Sequence, residues 1–179
     1  MHLVPLSRRR RRLLLAAVVV LALFCAATGR LFVWPPTDAP TRASAVVALG
    51  GDPGERPAYR AIALVEAGYA PVAVVSLGGV PPAPCPHAPR IRVVCFRANP
   101  LDTRGEAEYI ARLAARHHWR QLIIVPEESQ TTRARILFER CTTVGLRWVP
   151  VGDPGSRIAY DVVYEWGALF KALFLERSC

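Results

Sequence analysis

Between Arg97 and Arg133 the chain sets arginines, carboxylates and hydroxyls around two helix starts. It reads RANPLDTRGEA, then a helix-period run to His118, then WRQLIIVPEESQTTRAR. That pattern is a polar loop, a capped helix, a buried strand, a second polar loop and a second helix with Arg133 on its first turn. Two polar loops that each precede a helix N-terminus gather backbone N–H groups and arginines around one spot, which suits an anionic ligand. Glu106 and Glu127 are the carboxylates available there as a general base.

Each of these residues also has a plainer reading. Gly50–Gly51 and Gly78–Gly79 can admit a phosphate close to the backbone, or they serve tight strand-to-helix turns. Thr103-x-x-Glu106 fits a capping box, which alone would occupy both side chains. Arg133 is different, because a cation inside the first turn opposes the helix macrodipole. Its placement points to function, or to a partner such as Glu127 or Glu128; Arg60, near another helix start, is read the same way. His117–His118 face different directions and read as a solvated helix end. No Ser/His/Asp set can be assembled from the four histidines.

The elements that must position these groups are short. Apolar runs at Ala45–Leu49, Val72–Ser76, Ile91–Phe96, Leu122–Val125 and Arg147–Val151 read as strands. Helix-period segments follow Pro57, Asp102 and Ser129, and a last one runs from Ile158 to Leu175. In that last helix Trp166, Phe170 and Phe174 recur at helical spacing and read as core. Residues 81–89 hold five prolines, so the crossover there is extended rather than helical. Strands alternating with helices and no hairpin turns predict an α/β fold: a Rossmann-like parallel sheet of about five strands, helices on both faces. Ligands of such sheets bind beyond the carboxyl ends of the strands. The candidate polar groups at Gly50–Asp52, Ser76–Gly79, Arg97–Thr103, Glu127–Arg133 and Gly152–Asp153 all follow strands, so five loops share that rim.

The N-terminus has another purpose. Arg8–Arg12 is an unbroken basic run, followed by uncharged Leu13–Thr28, then Arg30 and Leu31–Trp34. About 20 apolar residues cross a bilayer core, and Leu13–Trp34 reaches that length if Arg30 snorkels beside Trp34. The expected organisation is a basic cytoplasmic tail (1–12), a transmembrane signal-anchor (13–34), a linker (35–43) that lifts the domain off the membrane, and an extracytoplasmic domain (44–179). The basic flank places the tail in the cytoplasm of a single-pass plasma-membrane protein. A cleaved signal peptide is the alternative, with Ala26–Ala27–Thr28 as the processing site. Residues 1–30 contain six arginines and no acid, so of the formal +9 only +3 remains on the rest of the chain. The basic balance therefore speaks for membrane orientation rather than nucleic acid.

Four cysteines fall outside the apolar segment, at spacings that match no zinc signature. Neither a metal nor a cofactor is expected. In an exported domain they read as two disulfides. Helices that follow strands start at the functional rim and run away from it. Cys141 lies far along one, and Cys179 just past the end of another, so both sit at the opposite end. Cys141–Cys179 is the expected bridge, and Cys85–Cys95 follows by elimination.

ALGG, an arginine-bearing helix ending AGYAP, VVSLGG, DTRGEA and TTRAR stand in an order and spacing that resembles the YdcF/SanA/ElyC family. The closing YEWGALFKALFLERSC is similar to small actinobacterial members. The resemblance covers Ser44–Cys179. It implies a Rossmann-like, envelope-associated domain, often behind one membrane anchor, with a role in envelope maintenance. It also implies ligand contacts at Gly50, Gly51, Arg60, Ser76, Gly78, Gly79, Thr103, Glu106 and Arg133. Gln130 stands where the family commonly has histidine, and Pro126–Glu127 replaces small hydroxyl residues. Arg97 and Pro100 displace a family glutamate. An amide does not titrate, so Gln130 cannot take over an acid–base task. The resulting expectation is a rim that binds an anionic small molecule or a lipid-linked envelope precursor, with Arg60 and Arg133 against phosphate and the glycine turns allowing close approach. The alternatives are a hydrolase or transferase on a phosphorylated or nucleotide-like substrate, and a structural envelope protein without ligand.

Overall fold

The computed structural model describes residues 7–51, 55–78, 82 and 84–179. Gly79 and Asp52 lie outside the described residues. Five strands, β1 (Ala45–Ala48), β2 (Val72–Ser76), β3 (Arg92–Phe96), β4 (Gln121–Val125) and β5 (Gly145–Trp148), form one sheet in the order β3-β2-β1-β4-β5. Every pairing is parallel, with Val47 of β1 flanked by Val74 and Ile124. The predicted α/β class and strand number are borne out.

Both faces of the sheet are covered, which explains why β1, β2 and β4 read as unbroken apolar runs. Val46, Ala48, Ala73, Val75 and Ile123 meet Ala58, Ala61, Leu64 and Val65 of α2 (Arg56–Glu66) on one face. Val47, Val74, Leu122 and Ile124 meet α3 (Thr103–His117) and α4 (Thr131–Cys141) on the other, through Ile110, Leu113, Leu137 and Phe138. The last helix, α5 (Ile158–Phe174), packs on α4. Strand β5 ends earlier than the expected Val151. Pro150 has no N–H to give the ladder, and Val151 rejoins only as an isolated bridge to Glu127.

The disulfides Cys85–Cys95 and Cys141–Cys179 form as expected. The first fastens the proline-bearing crossover to the face of β3 that α2 leaves uncovered. The second ties the chain end to the far end of α4.

Helix α1 (Arg8–Thr28) and a π-helical turn at Gly29–Val33 make one rod of 26 residues that contains an 18-residue stretch of mean hydropathy 2.2. It is long and apolar enough to cross a membrane. Two expectations fail around it. The segment after it does not lift the domain away. Asp38 exchanges hydrogen bonds with the Trp148 backbone at 2.7 and 2.8 Å, and Arg135 donates to the Pro36 carbonyl at 2.9 Å. This strap closes the open edge of β5. The anchor's end also docks: Phe32 is 1% exposed, and the Thr132 hydroxyl donates to the Leu31 carbonyl at 2.5 Å. The second failure is the α5 stripe, where Phe170 and Phe174 face outward and only Trp166 is half-buried, against Phe24 and Phe32.

Candidate functional site

In this strand order β1 connects towards β2 and β4 towards β5, so the loops that follow these two paired strands run to opposite sides. The crevice between them is the expected ligand position, and a cavity of about 330 Å³ opens there. Gly50, Gly51, Ser76, Gly78, Thr103, Glu106, Glu127, Gln130 and Arg133 line it. They come from strand ends, loops and first helical turns up to eighty-three positions apart in sequence, between Gly50 and Arg133. Arg60 is not among them: it lies on the exposed side of α2. The arginine that α2 does bring to the rim is Arg56, one turn earlier. It donates to Glu127 Oε1 at 2.7 Å and to the Gly152 carbonyl.

The capping-box expectation at Thr103 does not hold. Asp102 is the cap, its Oδ1 accepting the Gly105 N–H at 2.9 Å. A carboxylate one residue earlier takes the task and releases both Thr103 and Glu106 into the site. Glu106 Oε1 instead accepts the Gly50 N–H at 2.8 Å, across the mouth of β1. Thr103 Oγ1 accepts from Arg133 Nη1 at 2.5 Å and from Gln130 Nε2 at 3.3 Å.

Helix α4 likewise starts at Thr131 rather than at Ser129, with Gln130 in the capping position and no side-chain cap. The Ser129 N–H is taken by Asp153 Oδ2 at 2.9 Å. Gln130 Nε2 donates to the Gly50 carbonyl at 3.3 Å, which fixes the amide's orientation, since a carbonyl only accepts. Its Oε1 is buried without a partner among the described residues.

Arg133 lines the cavity, but its partner is neither Glu127 nor Glu128. Nε and Nη2 form a bidentate pair with Glu165 of α5 at 2.8 and 2.7 Å. Both residues are buried, Arg133 at 9% exposure and Glu165 at 3%. Burial alone would lower the Arg133 pKa, but the Glu165 hydrogen bonds and charge outweigh it and raise it. Glu165 is the residue that sequence reasoning missed. The available signal was an acid on a nearly apolar helix, where only Asp161, Glu165 and Lys171 are charged.

Burial raises the pKa of Glu106 above the ordinary carboxylate range. The Ser76 hydroxyl, the Gly50 N–H and the Arg133 charge oppose that shift, and Asp102 adds to it. The other lining carboxylates have cationic neighbours: Glu127 with Arg56, Asp161 with Arg157, Asp102 with Lys171, Glu165 with Arg133. Glu106 is therefore the lining carboxylate held towards its neutral form, with the strongest case for proton transfer.

The glycines divide between the two readings. A side chain at Gly50 would meet Gly78 N at 3.1 Å and Ser76 O at 3.2 Å, and one at Gly78 would meet Gly51 N at 3.0 Å. These two let the turns after β1 and β2 pack against each other. Gly51 has φ +119° and open space around it, so it is the glycine that leaves backbone accessible from the cavity. No family model, curated protein or solved structure matches this chain.

Proposed function

We propose that this chain is a membrane-anchored, extracytoplasmic domain of the YdcF/SanA type that serves envelope maintenance. In this reading it binds an anionic small molecule or lipid-linked envelope precursor in the rim cavity. The observation that carries the reading is convergence. Gly50, Gly51, Ser76, Gly78, Thr103, Glu106 and Arg133, seven of the nine contacts the resemblance implied, line one cavity at the carboxyl end of a parallel sheet, with Gln130 among them and Arg60 outside it. A helix long enough to span a membrane and two disulfides support an exported, oxidising location.

The chemistry of the lining narrows the ligand. Four of its five carboxylates sit beside cations, and burial holds the fifth, Glu106, towards neutrality. Against that balanced background the N-termini of α3, α4 and α5, which meet the cavity near Asp102, Gln130 and Arg157, contribute partial positive charge. Gln130 Oε1 asks for a donor, so the ligand carries a hydroxyl as well as an anionic group. About 300 Å³ is the lower end of small-molecule pockets, which suits a phosphorylated sugar or nucleotide-sized head.

The raised pKa of Glu106 favours a second reading, a hydrolase or transferase with Glu106 as base. Glu127, paired with Arg56, is the weaker candidate. A cellular test separates envelope function from an unrelated one. Deleting the gene in source cells should sensitise them to detergent and cell-wall-directed compounds. Wild-type protein should restore resistance, and Gln130→Met should not. Unchanged sensitivity on deletion would remove the envelope role.

A further inference from the structure

Helix α5 has almost no polar outer face. Beyond Asp161 and Glu165, whose side chains are 14% and 4% exposed, its single charge is Lys171. Yet only Glu165, Leu169 and Ala172 are fully buried, while Val163, Phe170 and Phe174 stand 73%, 57% and 53% exposed. At 100° per residue these three project within about 40° of one another. A helix apolar nearly all round belongs against another apolar phase, and the protein supplies a cover for one side only.

The anchor says what the other phase is. Phe24 stacks on Trp166 with ring centroids 5.5 Å apart, and Phe32 meets the same indole edge-on at 5.2 Å. Arg30 marks the headgroup level, with the exposed Trp34 beside it. Phe24 precedes Arg30 by six residues, which in an upright helix sets it about 9 Å nearer the bilayer centre. Phe32 lies two residues past Arg30, about 3 Å on its other side, so Trp166, which touches both rings, sits at the boundary between these two levels. The stripe is about 40–80° from Trp166 around α5, so it continues the anchor's own apolar surface.

We infer that α5 lies in the outer-leaflet interface as an in-plane helix, its Val163–Phe170–Phe174 face immersed in acyl chains. Amphipathic helices of this kind bury their apolar face about 5–10 Å into the headgroup boundary, the zone in which Trp166 bridges Phe24 and Phe32. Tyr160 and Tyr164 flank the stripe and also line the rim cavity, so the cavity mouth opens at the lipid surface. A lipid-linked head can then enter without leaving the bilayer. This inference rests on the anchor reading but not on the identity of the ligand.

Photocrosslinking on the full chain in native membranes tests it. p-Benzoylphenylalanine replaces Val163 or Phe170, both exposed enough to accept it. The same label at Val19 of α1 reports the anchor, and at Tyr59 of α2, on the opposite face of the sheet, a surface remote from α5. The expected result is phospholipid adducts at Val19, Val163 and Phe170 and none at Tyr59. Lipid adducts at Val19 but protein adducts or none at both α5 positions would overturn the docking while leaving the anchor standing. No lipid adduct at Val19 would overturn the anchor reading and the inference with it.

Discussion

Removing one side of the Arg133–Glu165 pair should cost far more than removing both. In Arg133→Met, Glu165 stays 3% exposed with its bidentate partner gone, and the Thr103 hydroxyl loses its donor at 2.5 Å. Breaking a buried pair from one side costs about 3–5 kcal/mol, a large part of the roughly 5–15 kcal/mol that holds a domain. In Arg133→Met/Glu165→Met no charge is left stranded, and replacement of a buried pair by packed apolar groups is near neutral. The double variant should therefore recover about 2 kcal/mol or more of the loss. Denaturant unfolding of the full chain in mild detergent, disulfides intact and followed by tryptophan fluorescence, reads each corner of the cycle. A coupling energy within about 0.5 kcal/mol of zero, the usual additivity of independent sites, would refute the pairing. Because this arginine is spent on a structural pair, loss of ligand binding in an Arg133 variant is informative only where the fold is shown intact.

Glu106 carries a pH signature. Burial raises its pKa in the folded chain, so between the ordinary carboxylate value and the raised one the native state holds a proton that the unfolded state has lost. Stability must then fall as pH rises through that window. The stability of wild type minus that of Glu106→Gln should decline across it and level off above; a flat difference would contradict the burial argument. Gly105→Ala should destabilise by about 1–3 kcal/mol, because a Cβ there would run into the Pro100 carbonyl oxygen, which is backbone and cannot rotate away. A thermal melt with no loss would show that the 97–102 loop shifts freely.

The strands and the rim were legible in the residues because uninterrupted apolar runs such as Leu122–Val125 have no other use than a sheet covered on both faces. In an exported domain, the Cys141–Cys179 bridge followed from helix direction and Cys85–Cys95 by elimination. What the residues concealed was competition among neighbours for the same hydrogen bond. Asp102 and Thr103 are both good caps; which one turns towards Gly105 depends on Arg133 and Gln130 reaching Thr103 from another helix. Glu165 was hidden for a similar reason: its partner lies thirty-two positions away, on α4. The α5 stripe misled because helical spacing shows that residues share a face without showing what that face meets.

The central claim is that the rim cavity holds an anionic, hydroxyl-bearing ligand. Titration calorimetry on the full-length protein in nanodiscs, with pyrophosphate and a nucleoside diphosphate as probes, tests it most directly, with phosphate release followed in parallel. The expected result is saturable binding of the nucleoside diphosphate, stronger than that of pyrophosphate. It should be weakened at least tenfold in Gln130→Met, a loss of about 1.4 kcal/mol, and unchanged in Arg60→Ala. Phosphate release that disappears in Glu106→Gln would move the reading from binder to enzyme. Equal affinities for the two probes, or no binding in protein whose fold is intact, would contradict the claim.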